Sequence, residues 1–249
     1  MTEGVVTGYL GKPHTFRAGE MEESLNSLAS QLRVSPNVIK VLTQTHSDRV
    51  VVVTDQNQDT QSEEADAMVT NIPGLVLGIK TADCIPVMLY DPVTRSIGAI
   101  HAGRAGARQN IVPKTVSTMS QEYGSQPQNI QAYLGPALAA EDHAIFEEEA
   151  ENFDGYIIQK LPQGTHRFDN QAHLQNFLEK TGLTTEDLTQ KTSVFVDVTG
   201  FVRDQLIQAG VSPEAIELCP ETTFQTPSLH SYRRDFPNHG LNLTYISLK

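Results

Sequence analysis

The chain has no tryptophan, two cysteines and no excess of positive charge among its 249 residues. Each shortage excludes something. Two cysteines cannot build a disulfide framework, and a reducing compartment suits such a chain better. No segment approaches the roughly 20 apolar residues a membrane span needs. The start, MTEGVVTGYLGK, lacks the basic stretch and apolar core of a secretory leader. A formal net charge of −12 repels nucleic acid and anionic membranes alike. No repeat, low-complexity tract or Pro/Gly linker divides the sequence. The expectation is a soluble, cytoplasmic protein with a small-molecule substrate and no obligate protein partner.

What is present is a series of short apolar runs, enough for a sizeable core at 39% hydrophobic residues. Leu25, Leu28 and Leu32 have helical spacing and predict a helix over 21–32. Strands are expected over 39–43, 49–54, 67–70, 75–80, 86–90 and 97–101, with an acidic loop over 56–64. Asn71-Ile72-Pro73-Gly74 and Asp91-Pro92 supply turns. A helix follows His101, and Pro113 requires it to start near Asn110 or to bend. A strand is read over 129–134. Helices are read over 141–153, 168–180 and 194–209, the last closed by Gly210 at the C′ position. Closing strands follow over 216–219 and 243–248. Residues 1–35 are weakly patterned. The pattern describes one α/β (α+β) domain over 1–249.

Three residues stand out at the ends of strand-like runs. His46 lies in VLTQTHSDRV, Cys84 in TADCIP and His101 in IGAIHAG. Two imidazoles and a thiolate are good zinc ligands, and a catalytic zinc keeps three protein ligands and an open position. The same residues could instead be a thiol nucleophile with a histidine base. Strands that end in Cys84 and His101 could bring both to one crevice. Asp83 could steady a ligating ring or act with Asp66 as an acid–base group. Arg104 and Arg108 share a face if their segment is helical. Arg233 and Arg234 face opposite ways if theirs is extended, so at most one reaches a shared site. Among the other histidines, His143 reads as a surface or core residue, and His230, beside SYRRD, merits the first test. Cys219, before Pro220, has no such setting.

The blocks TADCIPV (81–87), HAG-x-x-G (101–106), YLGPAL (133–138) and SYRRD (231–235) resemble, in order and spacing, the laccase-domain family. That family is also called the multicopper polyphenol oxidase or YfiH-like family. The resemblance implies a layered fold with mixed sheets flanked by helices, related to a bacterial deamidase toxin. It implies His46, Cys84 and His101 as zinc ligands, with copper an older and less fitting label. Cys84, His101 and Asp83 become candidate catalytic residues, and Arg104, Arg233 and Arg234 candidate substrate contacts. The implied activities are phosphorolysis of adenosine, inosine and methylthioadenosine, deamination of adenosine, or editing of peptidoglycan precursors. A thiol amide hydrolase and a zinc-stabilised binding protein are the alternatives.

The sequence also departs from the family pattern. HAGWRG reads here His101-Ala102-Gly103-Arg104-Ala105-Gly106. Leu138-Ala139-Ala140-Glu141 replaces the usual Ile-Gly-Pro continuation, and Asn238-His239-Gly240-Leu241 stands where Thr-Gly-Arg is usual. An N-terminal Arg-x-Gly-Gly segment is not evident. Several altered positions would bind an anion, so they bear most on phosphorolysis.

Overall fold

Alternation along the central strands builds two cores at once. In the strand Ile85–Asp91, Ile85, Val87 and Leu89 belong to one apolar cluster, and Met88 and Tyr90 to another. Both faces of this sheet are therefore covered, and every residue of the strand is buried. The computed structural model describes residues 4–168 and 171–249.

Along the chain come β1 (Val5–Leu10), α1 (Met21–Leu32), β2 (Ile39–Lys40), β3 (Val50–Val52), β4 (Ala67–Thr70) and β5 (Val76–Thr81). Next are β6 (Ile85–Asp91), β7 (Ser96–Ala102), α2 (Arg104–Arg108), α3 (Ile111–Tyr123), β8 (Gln131–Leu134), β9 (Ala144–Phe146) and β10 (Ile157–Lys160). The rest are α4 (Gln171–Thr181), α5 (Thr185–Leu188), β11 (Ser193–Val196), α6 (Val198–Gln208), β12 (Ile216–Leu218), α7 (Tyr232–Asp235) and β13 (Asn242–Leu248). The sheets run β1-β13-β5-β2, β12-β8-β6-β7-β4-β3 and β10-β11-β9.

The first two sheets pack face to face through Leu77, Ile79, Met88, Ala99 and Ile246. Helix α1 covers the outer face of the four-stranded sheet with Leu28 and Ala29. Helices α3 and α6 cover the six-stranded sheet through Val116, Met119, Val202 and Leu206, and β11 joins them. The result is a layered α/β unit with mixed sheets flanked by helices. Among the described residues no helix is long and apolar enough to cross a membrane.

Several elements differ from the sequence reading, each for a physical reason. Residues 141–153 are not an acidic helix. Ala144, Ile145 and Phe146 are buried and pair with β11, and Glu147–Glu149 form a solvated 3₁₀ turn. Strand pairing overrides the helical preference of the glutamates. The helix expected over 194–209 loses its first turn to β11, and Asp197 caps α6 by accepting from the Gly200 amide at 2.8 Å. Helix α3 starts at Ile111 after a left-handed Asn110. Pro113 thus falls in the first turn, where no intrahelical amide bond is needed. The segment read as weakly patterned contains β1, which pairs with β13 along its length. Of the helix expected over 168–180, residues 169 and 170 lie outside the described residues, and the remainder is α4.

Candidate metal centre

The crevice is not made by parallel strand ends. Strands β6 and β7 are antiparallel with Pro86 opposite His101, so the start of one lies beside the end of the other. Cys84 sits in the short link that carries the chain from β5 in one sheet to β6 in the other. His46 lies in the bend between β2 and β3 and has a left-handed backbone, φ 61°. One potential ligand atom from each of the three residues lies within 4.8 Å of the others. Cys84 Sγ is 3.8 Å from His46 Nε2.

Asp66 organises this cluster. Its carboxylate is fully buried. Oδ1 accepts from His101 Nδ1 at 2.7 Å and from the His46 amide at 3.0 Å. Oδ2 accepts from the amide and hydroxyl of Ser47 at 2.6 and 2.7 Å. One carboxylate thereby sets the His101 ring and holds the strained turn of His46. The assignment of a proton to His101 Nδ1 follows from this contact and leaves Nε2 for a ligand. Burial works to raise the Asp66 pKa, but the bonds from His101 and Ser47 outweigh it and hold it well below the usual carboxylate range. Asp66, read in the sequence as an acid–base candidate, has both carboxylate oxygens bonded to His101, His46 and Ser47.

Burial also opposes a Cys84 thiolate, yet the His101 charge and bonds from His101 and His46 lower the thiol to about 6. His101 shows the reverse: burial disfavours its charge, while Cys84 and Asp66 raise it to about 9. Gly103 makes room for the cluster. A Cβ there would lie 2.8 Å from His46 Cδ2 and 3.0 Å from Cys84 Sγ. Two imidazoles and a thiol with ligand atoms within 4.8 Å of one another suit a single metal ion; zinc bonds of about 2.0–2.3 Å would separate tetrahedral ligands by about 3.5 Å.

The cluster opens into a cleft of about 1020 Å³. Asp83 lines it with a left-handed backbone, φ 92°. Its oxygens accept from the Thr223 hydroxyl at 2.6 Å and the Arg233 amide at 2.7 Å. Burial pushes its pKa up against those two bonds. Asp83 thus ties the TADC link to the SYRRD turn. That turn is helical, not extended. Arg233 reaches the cleft and donates to the Ala144 carbonyl at 2.6 Å. Arg234 does not line the cleft: its guanidinium is taken by the carbonyls of Thr223, Phe224 and Thr226 and by Asp235. The Arg234 guanidinium thus braces the segment 223–235 from outside the cleft lining.

Arg104 and Arg108 share a face of α2, as helical spacing implies, and both meet Glu149. Arg104 makes a 2.8 Å ion pair and Arg108 bonds its carbonyl at 3.4 Å. His143 also lines the cleft, and burial and the charges of Arg104 and Arg233 push it down to about 3. It is a neutral imidazole in the cleft, unseen in the sequence because its segment reads as a helix. The facing wall carries Phe146, Phe168 and Phe177, with Phe146 and Phe177 centroids 5.1 Å apart. No local motif announces these aromatics. His230 is structural: its Nε2 lies 2.8 Å from the His14 carbonyl and its Nδ1 accepts from the Gly240 amide.

Two layered sheets with a His–Cys–His cluster at a cleft mouth define the class. Residues 17–249 match the family described as multi-copper polyphenol oxidoreductase laccase, and the chain belongs to that family. It is 33% identical to a purine nucleoside phosphorylase of Corynebacterium glutamicum over 84% of this chain and 74% of that protein. It is 31% identical to a purine nucleoside phosphorylase of Mycobacterium tuberculosis over 84% and 72%. The fold matches the crystal structure of Bacillus licheniformis hypothetical protein YfiH, with TM-score 0.78 and 24% identity over 98% of this chain and 93% of that one. It also matches YlmD from Geobacillus stearothermophilus, with TM-score 0.78 and 20% identity over 99% and 93%.

Proposed function

We propose that this chain is a cytoplasmic zinc enzyme that acts on purine nucleosides, with phosphorolysis of adenosine, inosine or methylthioadenosine as its main reaction. One observation carries the reading. The His46–Cys84–His101 cluster opens on the same cleft as Arg104 and Arg233, a neutral imidazole and an aromatic wall. The names of the related phosphorylases support it.

In phosphorolysis a phosphate oxygen attacks the ribose C1′ and the bond from C1′ to N9 breaks. The bonding pair stays on the purine, which takes up the proton that the attacking hydrogen phosphate gives up. Ribose 1-phosphate and free base result. Arg104 and Arg233 hold the phosphate by charge-assisted bonds. Phe146, Phe168 and Phe177 stack on the base. His143, neutral at working pH, exchanges hydrogen bonds with a sugar hydroxyl. Asp83 fixes the Arg233 backbone, and Asp66 fixes two of the metal ligands. Zinc, when bound, supplies a Lewis acid beside the reacting atoms. Deamination of adenosine, in which water adds at C6 and ammonia leaves, is a second reaction the same centre could serve. The partner is a small molecule, since a charge of −12 disfavours nucleic acid and anionic membranes.

The test is release of hypoxanthine from inosine that requires phosphate, forms ribose 1-phosphate in equal amount and disappears in Cys84→Ala. Zinc-loaded protein that turns over none of the three nucleosides contradicts the reading and favours a zinc-stabilised binding protein. A thiol amide hydrolase is the other reading, favoured by the lowered Cys84 thiol beside a raised His101. Metal-free protein that hydrolyses amides and is inactivated by alkylation at Cys84 would establish it.

A further inference from the structure

The cleft is lined by more positive charge than a metal cluster and one arginine pair require, and the cations differ in how they are engaged. Arg104 meets Glu149, Arg167 meets Asp142, and Arg233 donates to Ala144. Lys180 is exposed. Lys80 is half-buried, and among the described residues its ammonium makes no ion pair or hydrogen bond. Its backbone is fixed on both sides. The Lys80 amide donates to Gln44 Oε1 at 2.9 Å, and Gln44 Nε2 donates to the Lys80 carbonyl at 2.7 Å. Opposite it in the sheet stands Leu243, so the lysine stem lies on the α1 side of β5. Leu241, Tyr232 and His239 line the cleft with it. Burial lowers the Lys80 pKa, and among the described residues no carboxylate counters it.

A partly desolvated ammonium with no counter-charge among the described residues gains most from an anionic ligand, and a lysine serves phosphate as a compact point charge. The cleft also reaches the upper end of the size range of small-molecule sites, about 300–1,000 Å³. We propose that Lys80 holds a phosphate group in this cleft. The choice of phosphate rests on the nucleoside reading above. The group has two sources with the same chemistry: free orthophosphate, or a phosphomonoester carried by a purine nucleotide.

The experiment is calorimetric titration of the full zinc-loaded chain with orthophosphate, adenosine and adenosine 5′-monophosphate, repeated for Lys80→Met and Lys80→Arg. Lys80→Met should weaken a phosphate-bearing ligand at least about tenfold, with adenosine unchanged within about twofold and Lys80→Arg recovering most of the loss. Weaker orthophosphate binding assigns the free ion. Loss of only the nucleotide's advantage over adenosine assigns the monoester. Unchanged affinities in Lys80→Met, or a parent that binds neither phosphate ligand, overturns the proposal. Melting temperature and zinc content control for folding, and Lys80→Gln replaces Lys80→Met should that variant fail to fold. A parent that binds these ligands but turns over no nucleoside removes the phosphorolysis reading and leaves the Lys80 result readable.

Discussion

The two walls of the cleft are built on different principles. The ligand wall hangs on β6 and β7, which are buried along their whole length, and Asp66 saturates its carboxylate on the turns around it. The facing wall comes from the described part of residues 139–197, a run of 3₁₀ turns, short strands and two helices, α4 and α5, of which α4 has no buried residue. On the reading proposed above, the ligand wall would fix where chemistry occurs, and the facing wall would shape what enters. Changes on the first should abolish metal binding and turnover together, and changes on the second should move substrate affinity alone.

The largest effect is expected at the ligands. Cys84→Ala and His101→Ala should each lower zinc affinity more than about 100-fold, beyond the range for a supporting residue, as read by competition with a chelating dye. Retained zinc in both variants would separate the cluster from the metal. Asp66→Asn should lower zinc affinity about 10–100-fold. It should also destabilise the fold by about 3 kcal/mol, because a buried charge pair with His101 is broken. Denaturant melts and zinc titration read the two effects separately.

The cleft was only partly legible in the sequence. His46, Cys84 and His101 showed as chemical residue types at the ends of apolar runs, a local signal. Their convergence was not visible, because it arises from antiparallel pairing and a crossing between two sheets. Asp66 looked like an acid–base candidate because nothing local shows that its oxygens are already occupied. The facing wall was misread most. In 141–153 a run of glutamates suggested a helix, while burial of Ala144–Phe146 against β11 decided for a strand. His143 and Lys80 gain their meaning from neighbours far away in sequence.

Smaller effects sharpen the contrast. In metal-free protein, Cys84 alkylation should rise with pH through a midpoint near about 6, rather than 9.0 for an ordinary thiol. Below that midpoint the thiol is protonated and unreactive, so the rate falls as pH drops. A midpoint near 9 would show that His101 and His46 do not stabilise the thiolate. Gly103→Ala should weaken zinc by about tenfold, since the new methyl crowds His46 and Cys84 and overpacking typically costs about 1–3 kcal/mol. Phe177→Ala, on the facing wall, should raise KM for nucleoside about three- to tenfold with kcat and zinc content unchanged. A drop in kcat alone would erase the distinction between the walls.

The central claim is that two imidazoles and one thiolate converge on a single ion. X-ray absorption at the zinc edge on purified protein tests it directly. The predicted shell has one sulfur at about 2.3 Å and two imidazole nitrogens at about 2.0 Å, with the sulfur lost in Cys84→Ala. A zinc shell of oxygen and nitrogen only, or no bound zinc after loading, would contradict it.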